Sequence, residues 1–493
     1  MRSRSAVLQF ESMPSASKAL KIFLVLVGVI VGVAVLAAIL FWLFFDINRY
    51  KPRIEAAMSK VLSMNVAIEG PLALGVASGV QVKMEKVRVS NRGDELAFVE
   101  ELHLSIPLMS VISDEMVYSA TAAKGARVSI QRDRAGKYTY ERLPADTARS
   151  RPFNLAKVSF TDLTVVYGDQ QPDDRLEFDG CNGELTDMRT TGGEPLVKHL
   201  SLNGKFKCAA LKGPGLDKNR VVTDVNFTVV AKQGVFDIDP ITVQAYGGQG
   251  VAKIRIDRSL DVPTLTVSAS LPKFRVEELL KPSASGKSVS GLLNFSANLS
   301  MRGATQLAIR QSAQGDMSLS GASLKLSGID LDQQLQKFAL SQSLNLLDVS
   351  ALLFVGPISL VVTKGIEISN LTKQPDASTS IRNLISRWKV EKGVAHGADV
   401  ALTTNENRIA VRGDLNFVSN QYQGIVVALV DANGCAKARQ NISGPFSKPI
   451  AAQSNILLPL GPVLRLLDSA KAFFSGGPDK CEVFYSGSLQ SPK

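Results

Sequence analysis

Histidine is nearly absent: His103, His199 and His396 are the only three in 493 residues. They lie far apart, and His103 falls on the polar phase of its segment. No GxSxG elbow, HExxH pair or Walker loop occurs, so nucleophilic, metalloprotease and nucleotide chemistry have no motif to stand on. Tyr246-Gly247-Gly248-Gln249-Gly250 is glycine-rich but sits between two strand patterns, where a tight turn accounts for it. No cofactor or metal is implied, and the chain reads as a non-enzyme. Charge is also sparse, at 20%, with aromatics at 6%. The net charge is +11, of which the first 21 residues carry +3 through four basic side chains and Glu11. The rest is dispersed, with no basic run interleaved with aromatics, which argues against a nucleic-acid partner. General attraction to an anionic membrane surface stays open.

Cysteine is scarce too. Cys181, Cys208, Cys435 and Cys481 form no CxxC and have no histidine at zinc-ligand spacing. Three pairings exist, and the local one, Cys181 with Cys208 and Cys435 with Cys481, is expected. Each bridge would contribute roughly 3.5–4 kcal/mol in the loop-entropy model. The alternative is four free thiols in a cytosolic domain.

Long apolar runs are lacking with one exception. Ile22 to Phe45 is 24 residues without a charge. A helix of that length reaches about 36 Å at ~1.5 Å per residue, enough for the hydrocarbon core. Phe41, Trp42, Phe44 and Phe45 gather at its far end, where aromatic rings prefer the interface. The run exceeds a signal-peptide core and no small-residue cleavage site follows, so it reads as an uncleaved anchor. Four basic residues stand on each side (Arg2, Arg4, Lys18 and Lys21; Arg49, Lys51, Arg53 and Lys60), so charge alone leaves the orientation tied.

After the run, residues 47–62 read as an amphipathic helix with Ile47, Tyr50, Ile54 and Met58 on one stripe. It either lies on the bilayer as a lipid-access helix or caps the following sheet. From Asn65 the apolar period becomes 2. Leu102, Leu104, Ile106 and Leu108 alternate with polar neighbours, as do Val225, Phe227 and Val229, then Leu293, Phe295 and Leu299, then Ile409, Val411, Leu415 and Phe417. Turn residues separate these runs, at Asn91-Arg92-Gly93, Asp179-Gly180, Gly247-Gly248 and Asn433-Gly434. The pattern predicts a mostly β, antiparallel fold with few helices, at Phe274–Leu280, Leu331–Leu347 and Val463–Phe474, and linkers at 145–151 and 281–290. An apolar sheet face must be covered. It forms either a closed sandwich or a long curved sheet around a groove suited to acyl chains, each buried CH₂ contributing about 0.8 kcal/mol. The groove would be lined by Leu102, Leu104, Ile106, Leu108, Val225, Phe227, Val229, Leu293, Phe295 and Leu299.

The order of motifs resembles the AsmA family of Gram-negative envelope proteins. It runs from Asp46–Ile54 through Val66–Leu72, Val87–Asn91 and Leu102–Leu108. It continues with Tyr246-Gly247-Gly248, Ser327–Leu331, Gly434-Cys435, Gly461-Pro462-Val463 and Cys481–Gly487. The terminal cysteines are the most specific part, and the resemblance supports a Cys435–Cys481 bridge. It implies a cytoplasmic tail (1–21), an inner-membrane helix (22–45) and a periplasmic part. That part would comprise an N-terminal β domain (46–144), a central β region (145–282) and a C-terminal β domain (283–493). It also implies a groove-shaped, taco-like sheet, a place in outer-membrane biogenesis, and phospholipids and the inner membrane as partners. The alternative is an anchored interaction protein that acts on other envelope or outer-membrane assembly proteins without carrying lipid.

Overall fold

The computed structural model describes residues 32–33, 46–62, 64–76, 80–106, 120–132, 138–140, 153–169, 175–191, 196–213, 222–280, 288–335, 353–354, 377–452, 455–456, 481 and 483–492. The expected membrane span lies outside these apart from Gly32 and Val33. Among the described residues no helix is long and apolar enough to cross a membrane. The helix expected at Val463–Phe474 and the linker at 145–151 also lie outside them.

The chain divides into two compact units, Met1–Ile54 and Glu55–Lys493. In the first, Ile47–Tyr50 forms a 3₁₀ turn rather than the start of an α-helix. Asp46 Oδ1 caps it by accepting from Asn48 N at 3.0 Å. The α-helix proper is Lys51–Leu62.

The second unit is one open sheet that contains all 22 strands of the described residues. β1 (Asn65–Ile68) and β2 (Leu72–Val76) both pair with β3 (Val80–Asn91). From there each strand pairs with the next: β4 (Asp94–Ile106), β5 (Ala120–Arg132), β6 (Phe153–Asp169), β7 (Leu176–Thr190), β8 (Leu200–Lys212), β9 (Val222–Lys232), β10 (Val235–Ala245), β11 (Gly248–Asp257) and β12 (Thr264–Arg275). β13 (Ser288–Ser290) and β14 (Leu292–Arg302) lie end to end along β15 (Gln314–Ser327). The order continues through β16 (Ser378–Glu391), β17 (Val394–Thr403), β18 (Arg408–Asn416), β19 (Gln421–Val430) and β20 (Ala436–Pro445). It ends at the two-residue strands β21 (Ile450–Ala451) and β22 (Asn455–Ile456).

Four expectations need correction. The sheet is mixed rather than purely antiparallel, because β5 and β6 run parallel. A parallel neighbour needs a long crossover, and residues 133–152 supply one. Asp179-Gly180 is no turn; it lies inside β7. The expected helix at Phe274–Leu280 is strand through Arg275, with only Val276–Leu279 helical, and the expected linker ends in β13.

Four of the described hairpins close with two-residue turns. Arg92-Gly93, Gln233-Gly234, Tyr246-Gly247 and Lys392-Gly393 have positive φ at both positions, the twist that matches a right-handed strand pair. Positive φ also occurs inside strands, where it marks bulges. The register leaves Lys86 facing Glu100, Glu100 facing Gly125, and Gly125 beside Asp162. Lys86, Gly125 and Asp162 all have φ between 53° and 61°. A Cβ on Gly125 would fall 2.5 Å from the Glu100 carboxylate, so a larger residue there would have to displace that side chain as well as hold a positive φ. A bulge bends its strand and sharpens its twist, and here bulges line up from strand to strand.

A bulge leaves ladder groups unpaired, and asparagine fills the gap twice. Asp162 N donates to Asn182 Oδ1 at 3.2 Å, and Lys273 N to Asn294 Oδ1 at 3.0 Å. Asn294→Ala is expected to cost about 1 kcal/mol, with most of it restored in Asn294→Asp. Chemical denaturation of the three proteins checks this, and identical midpoints would refute it.

The β1 edge is covered by the helix. Glu55 Oε1 accepts from Ile68 N at 2.7 Å and Ser59 Oγ from Val66 N at 3.0 Å. Protecting an edge strand removes a template for unwanted pairing. Glu55→Ala is expected to raise amide exchange across Asn65–Ile68 roughly tenfold or more, in line with a loss of ~1.5–3 kcal/mol for a hydrogen bond to a charged group. Unchanged exchange in hydrogen–deuterium mass spectrometry would remove this role.

Candidate functional site: the apolar sheet face

Alternation gives the sheet two faces. The outward face of β3 to β11 carries cross-strand ion pairs. Lys83 bridges Glu85 and Glu101, Arg127 pairs with Glu177, Lys212 with Asp179, Lys253 with Asp239 and Arg255 with Asp237. Lys83, followed by Lys124, holds the Glu101 carboxyl below the usual carboxylate range. Much of the chain's charge is thus paired on one face, away from the apolar residues.

The opposite face splits into two stretches. Over β12 to β20 it is filled. Ile329, Leu331, Leu335, Leu353 and Phe354, from outside the strands, pack onto Leu293, Leu319, Trp388, Leu415 and their neighbours. Of the helix expected at Leu331–Leu347, only residues 331–335 are described, and they belong to this filling. Polar anchors seat it. Leu331 N donates to Thr379 Oγ1 at 2.7 Å, Trp388 Nε1 to Ser386 Oγ at 2.7 Å, and Ser386 Oγ to the Leu353 carbonyl at 2.6 Å. At β17 to β19 the outward face is covered as well. Phe484 and Tyr485 lie on Ala401, Ala410 and Ala428, small residues that admit a close strap. Tyr485 donates to Asp399 Oδ1 at 2.6 Å, and burial followed by that carboxylate pushes its pKa up to about 12.

Over β4 to β10 the face is built differently. Among the described residues its cluster draws only on the strands: Leu163, Val225 and the cysteine pair are buried, and Leu102, Val165, Phe178, Phe206 and Phe227 are half-buried around them. Four phenylalanines form a row across β6 to β9. Ring centroids are 6.0 Å apart for Phe160–Phe206, 5.3 Å for Phe206–Phe227 and 6.3 Å for Phe178–Phe227. The Cys181–Cys208 disulfide joins β7 to β8 within this floor, and Cys435 is bridged to Cys481 near the strap.

The expected groove residues therefore separate. Leu102, Val225 and Phe227 belong to the floor. Leu104 follows Leu102 on the same phase of β4, and Val229 is half-buried opposite Gly204. Leu293, Phe295 and Leu299 belong to the filled stretch, Leu293 being 1% exposed. The Ile106 side chain and Leu108 lie outside the described residues. Ile47 and Ile54 are half-buried and Tyr50 is exposed in the first unit, while Met58 is half-buried in the second. Phe160, Phe178 and Phe206 were not foreseen. Their signal was an aromatic in each of three β-rich segments, the single one in β7 and in β8, masked by bulges that shift the phase.

Among the described residues no group of three or more His, Cys, Asp or Glu could hold a metal ion. His396 Nδ1 lies 2.9 Å from Asp414 Oδ1 on the exposed face. Residues 216–399 match the family model described as AsmA family. The chain matches no curated protein and no solved structure.

Proposed function

We propose, on the premise that residues 216–399 are an AsmA family domain, that this protein holds phospholipid acyl chains on the floor of β4 to β10 while anchored to the inner membrane. AsmA membership implies an envelope protein linked to outer-membrane biogenesis, in a family not known for enzymes. The two disulfides fit an extracytoplasmic location. On this reading Ile22–Phe45 is the anchor, with the tail at 1–21 cytoplasmic and the rest periplasmic. Residues 46–144 form the membrane-proximal β domain with its lipid-access helix at 47–62. Residues 145–282 supply most of the floor, and 283–493 form the filled C-terminal domain.

The observation that carries the reading is the contrast between the two stretches of one face. Where segments from outside the strands fill it, Leu293, Leu319 and Trp388 are deeply buried; over β4 to β10 the large aromatics stay half-buried, and among the described residues no segment from outside the strands joins their cluster. Two observations support a curved, groove-like sheet. Bulges align across β3 to β6. Arg258, just past β11, also donates to the hydroxyl of Tyr140, just past β5, at 3.4 Å. In a flat sheet six strand spacings of ~4.8 Å would hold these strands about 29 Å apart.

The test is lipid extraction and native mass spectrometry of the full chain purified in mild detergent. Copurified phospholipid is expected. Its absence from protein that is folded and monodisperse would end the lipid reading and favour an anchored interaction protein.

A further inference from the structure

Three of the eight tyrosines meet at one end of the floor. The rings of Tyr138 and Tyr140 stack with centroids 5.3 Å apart, and those of Tyr138 and Tyr167 at 6.4 Å. The hydroxyls of Tyr138 and Tyr167 are 3.4 Å apart. Tyr167 lies on β6 in the same phase as Leu163 and Val165, and Val165 faces Phe178 across the ladder. The tyrosines thus begin about 7 Å from the phenylalanine row, at ~3.3 Å per strand residue.

This cluster is held in place. Thr139, between two of the tyrosines, donates from N to the Gln131 carbonyl at 2.8 Å and from Oγ1 to the Ser129 carbonyl at 2.7 Å. Asn91 Nδ2 donates to the Thr139 carbonyl and Arg92 Nη2 to the Tyr138 carbonyl, both at 2.8 Å. Two side chains from the β3–β4 hairpin therefore fix a three-residue segment whose rings face the floor's end.

Arg258 completes the cluster from β11. It shares the phase of Ile254 and Ile256. Arg255, on the outward phase, donates from Nη1 to both carboxylate oxygens of Asp237 at 2.8 Å. Among the described residues no carboxylate pairs with the Arg258 guanidinium, which donates to the Tyr140 hydroxyl. The neighbouring acids are engaged elsewhere, Asp257 with Ser259 and Asp261 with Lys198.

An arginine without a carboxylate, three tyrosines with apolar bodies and polar tips, and an apolar floor a few ångströms away have a common chemistry. We propose that Tyr138, Tyr140, Tyr167 and Arg258 seat the phosphate of a phospholipid head group whose acyl chains lie along the phenylalanine row. The guanidinium fork matches phosphate oxygens. The tyrosines provide an interface between wet head group and dry chain. The seat rests on the reading that the floor takes acyl chains.

The experiment uses full-length protein stripped of lipid. It measures binding of phosphatidylglycerol, of diacylglycerol with the same chains, and of inorganic phosphate, to wild type, Arg258→Gln, Tyr140→Phe and Phe227→Glu. Wild type is expected to prefer phosphatidylglycerol to diacylglycerol. Arg258→Gln should lose roughly tenfold or more in phosphatidylglycerol affinity and keep its diacylglycerol affinity, with a smaller loss in Tyr140→Phe. If Arg258→Gln binds both lipids like wild type, the seat is wrong and the floor stands. If inorganic phosphate binds through Arg258 as tightly as phosphatidylglycerol, the site takes a free anion and the lipid seat is overturned. If wild type binds neither lipid, or Phe227→Glu binds both unchanged, the floor reading fails and the seat falls with it.

Discussion

A Phe227→Glu variant is expected to purify folded but without lipid. Phe227 sits between Phe206 and Phe178, in contact with both rings, and is only half-buried. A carboxylate there can turn toward water, so the fold survives the change. Acyl chains cannot accept it. Each CH₂ held on the floor contributes about 0.8 kcal/mol, and a charge facing hydrocarbon costs several kcal/mol or takes up a proton. The net effect exceeds the affinity a short stretch of chain could restore. Phe160→Glu, at one end of the row, should behave alike. Phe295→Glu should not. Phe295 is half-buried too, but it packs against the filled core beside Leu293 and Leu319, and its replacement is expected to cost roughly 2–3 kcal/mol of stability, before any question of lipid arises. Lipid extraction, circular dichroism and complementation of a deletion strain separate the cases. A folded Phe227→Glu protein that retains its full lipid load and complements would be decisive against the floor.

That contrast could not be read from the sequence. Leu102 and Leu293 stand in equally clean alternating runs, so the pattern identifies both as inward-facing. What lies over the filled face depends on Ile329, Leu331 and Phe354, which follow β15 yet also pack onto strands far from them in sequence, such as those of Leu293 and Leu415. Strand identity was legible because period 2 survives over Leu102–Ile106, Val225–Val229 and Ile409–Val411. The hairpin turns were legible where glycine marked them, as at Arg92-Gly93 and Tyr246-Gly247. The bulges were not. Lys86, Asp162, Asp187, Asp224, Lys273 and Ser323 adopt positive φ inside strands without any residue type that announces it. Each shifts the phase by one residue, so Phe160 and Leu163 share a face although their spacing is odd. Asp179-Gly180 misled in the opposite sense. It has turn composition but serves as a bulge, with Gly180 at φ 60° beside Ala209. The parallel β5–β6 pair was hidden because only a long crossover, not a local signal, creates it.

Removing the Cys181–Cys208 bridge is expected to lower stability by roughly 3.5 kcal/mol, the loop-entropy value for a separation of 27 residues. The register places the two cysteines directly opposite on β7 and β8, and both are buried, at 2% and 0% exposure. The appropriate replacement is the Cys181→Ala, Cys208→Ala pair, which keeps the floor apolar; serine would add an unpaired hydroxyl cost. The bridge lies beside Phe206 and Val225, so its loss also loosens the floor, and lipid retention should fall with the unfolding midpoint. The Cys435–Cys481 bridge closes a longer span of 46 residues but fastens a different structure. It ties down the strap whose Phe484 and Tyr485 cover the outward alanines. Arg408 Nη1 also holds that strap through the Leu489 carbonyl at 2.8 Å, and Arg412 Nη2 through the Val483 carbonyl at 3.0 Å. Breaking it should raise amide exchange over residues 483–492 while the floor and its lipid stay as they were. Paired alanine variants read by exchange, denaturation and lipid content therefore distinguish a bridge within the lipid-binding surface from one that secures a distant strap. Equal effects on lipid from both pairs would show that the two stretches of the sheet unfold together and that the floor has no stability of its own.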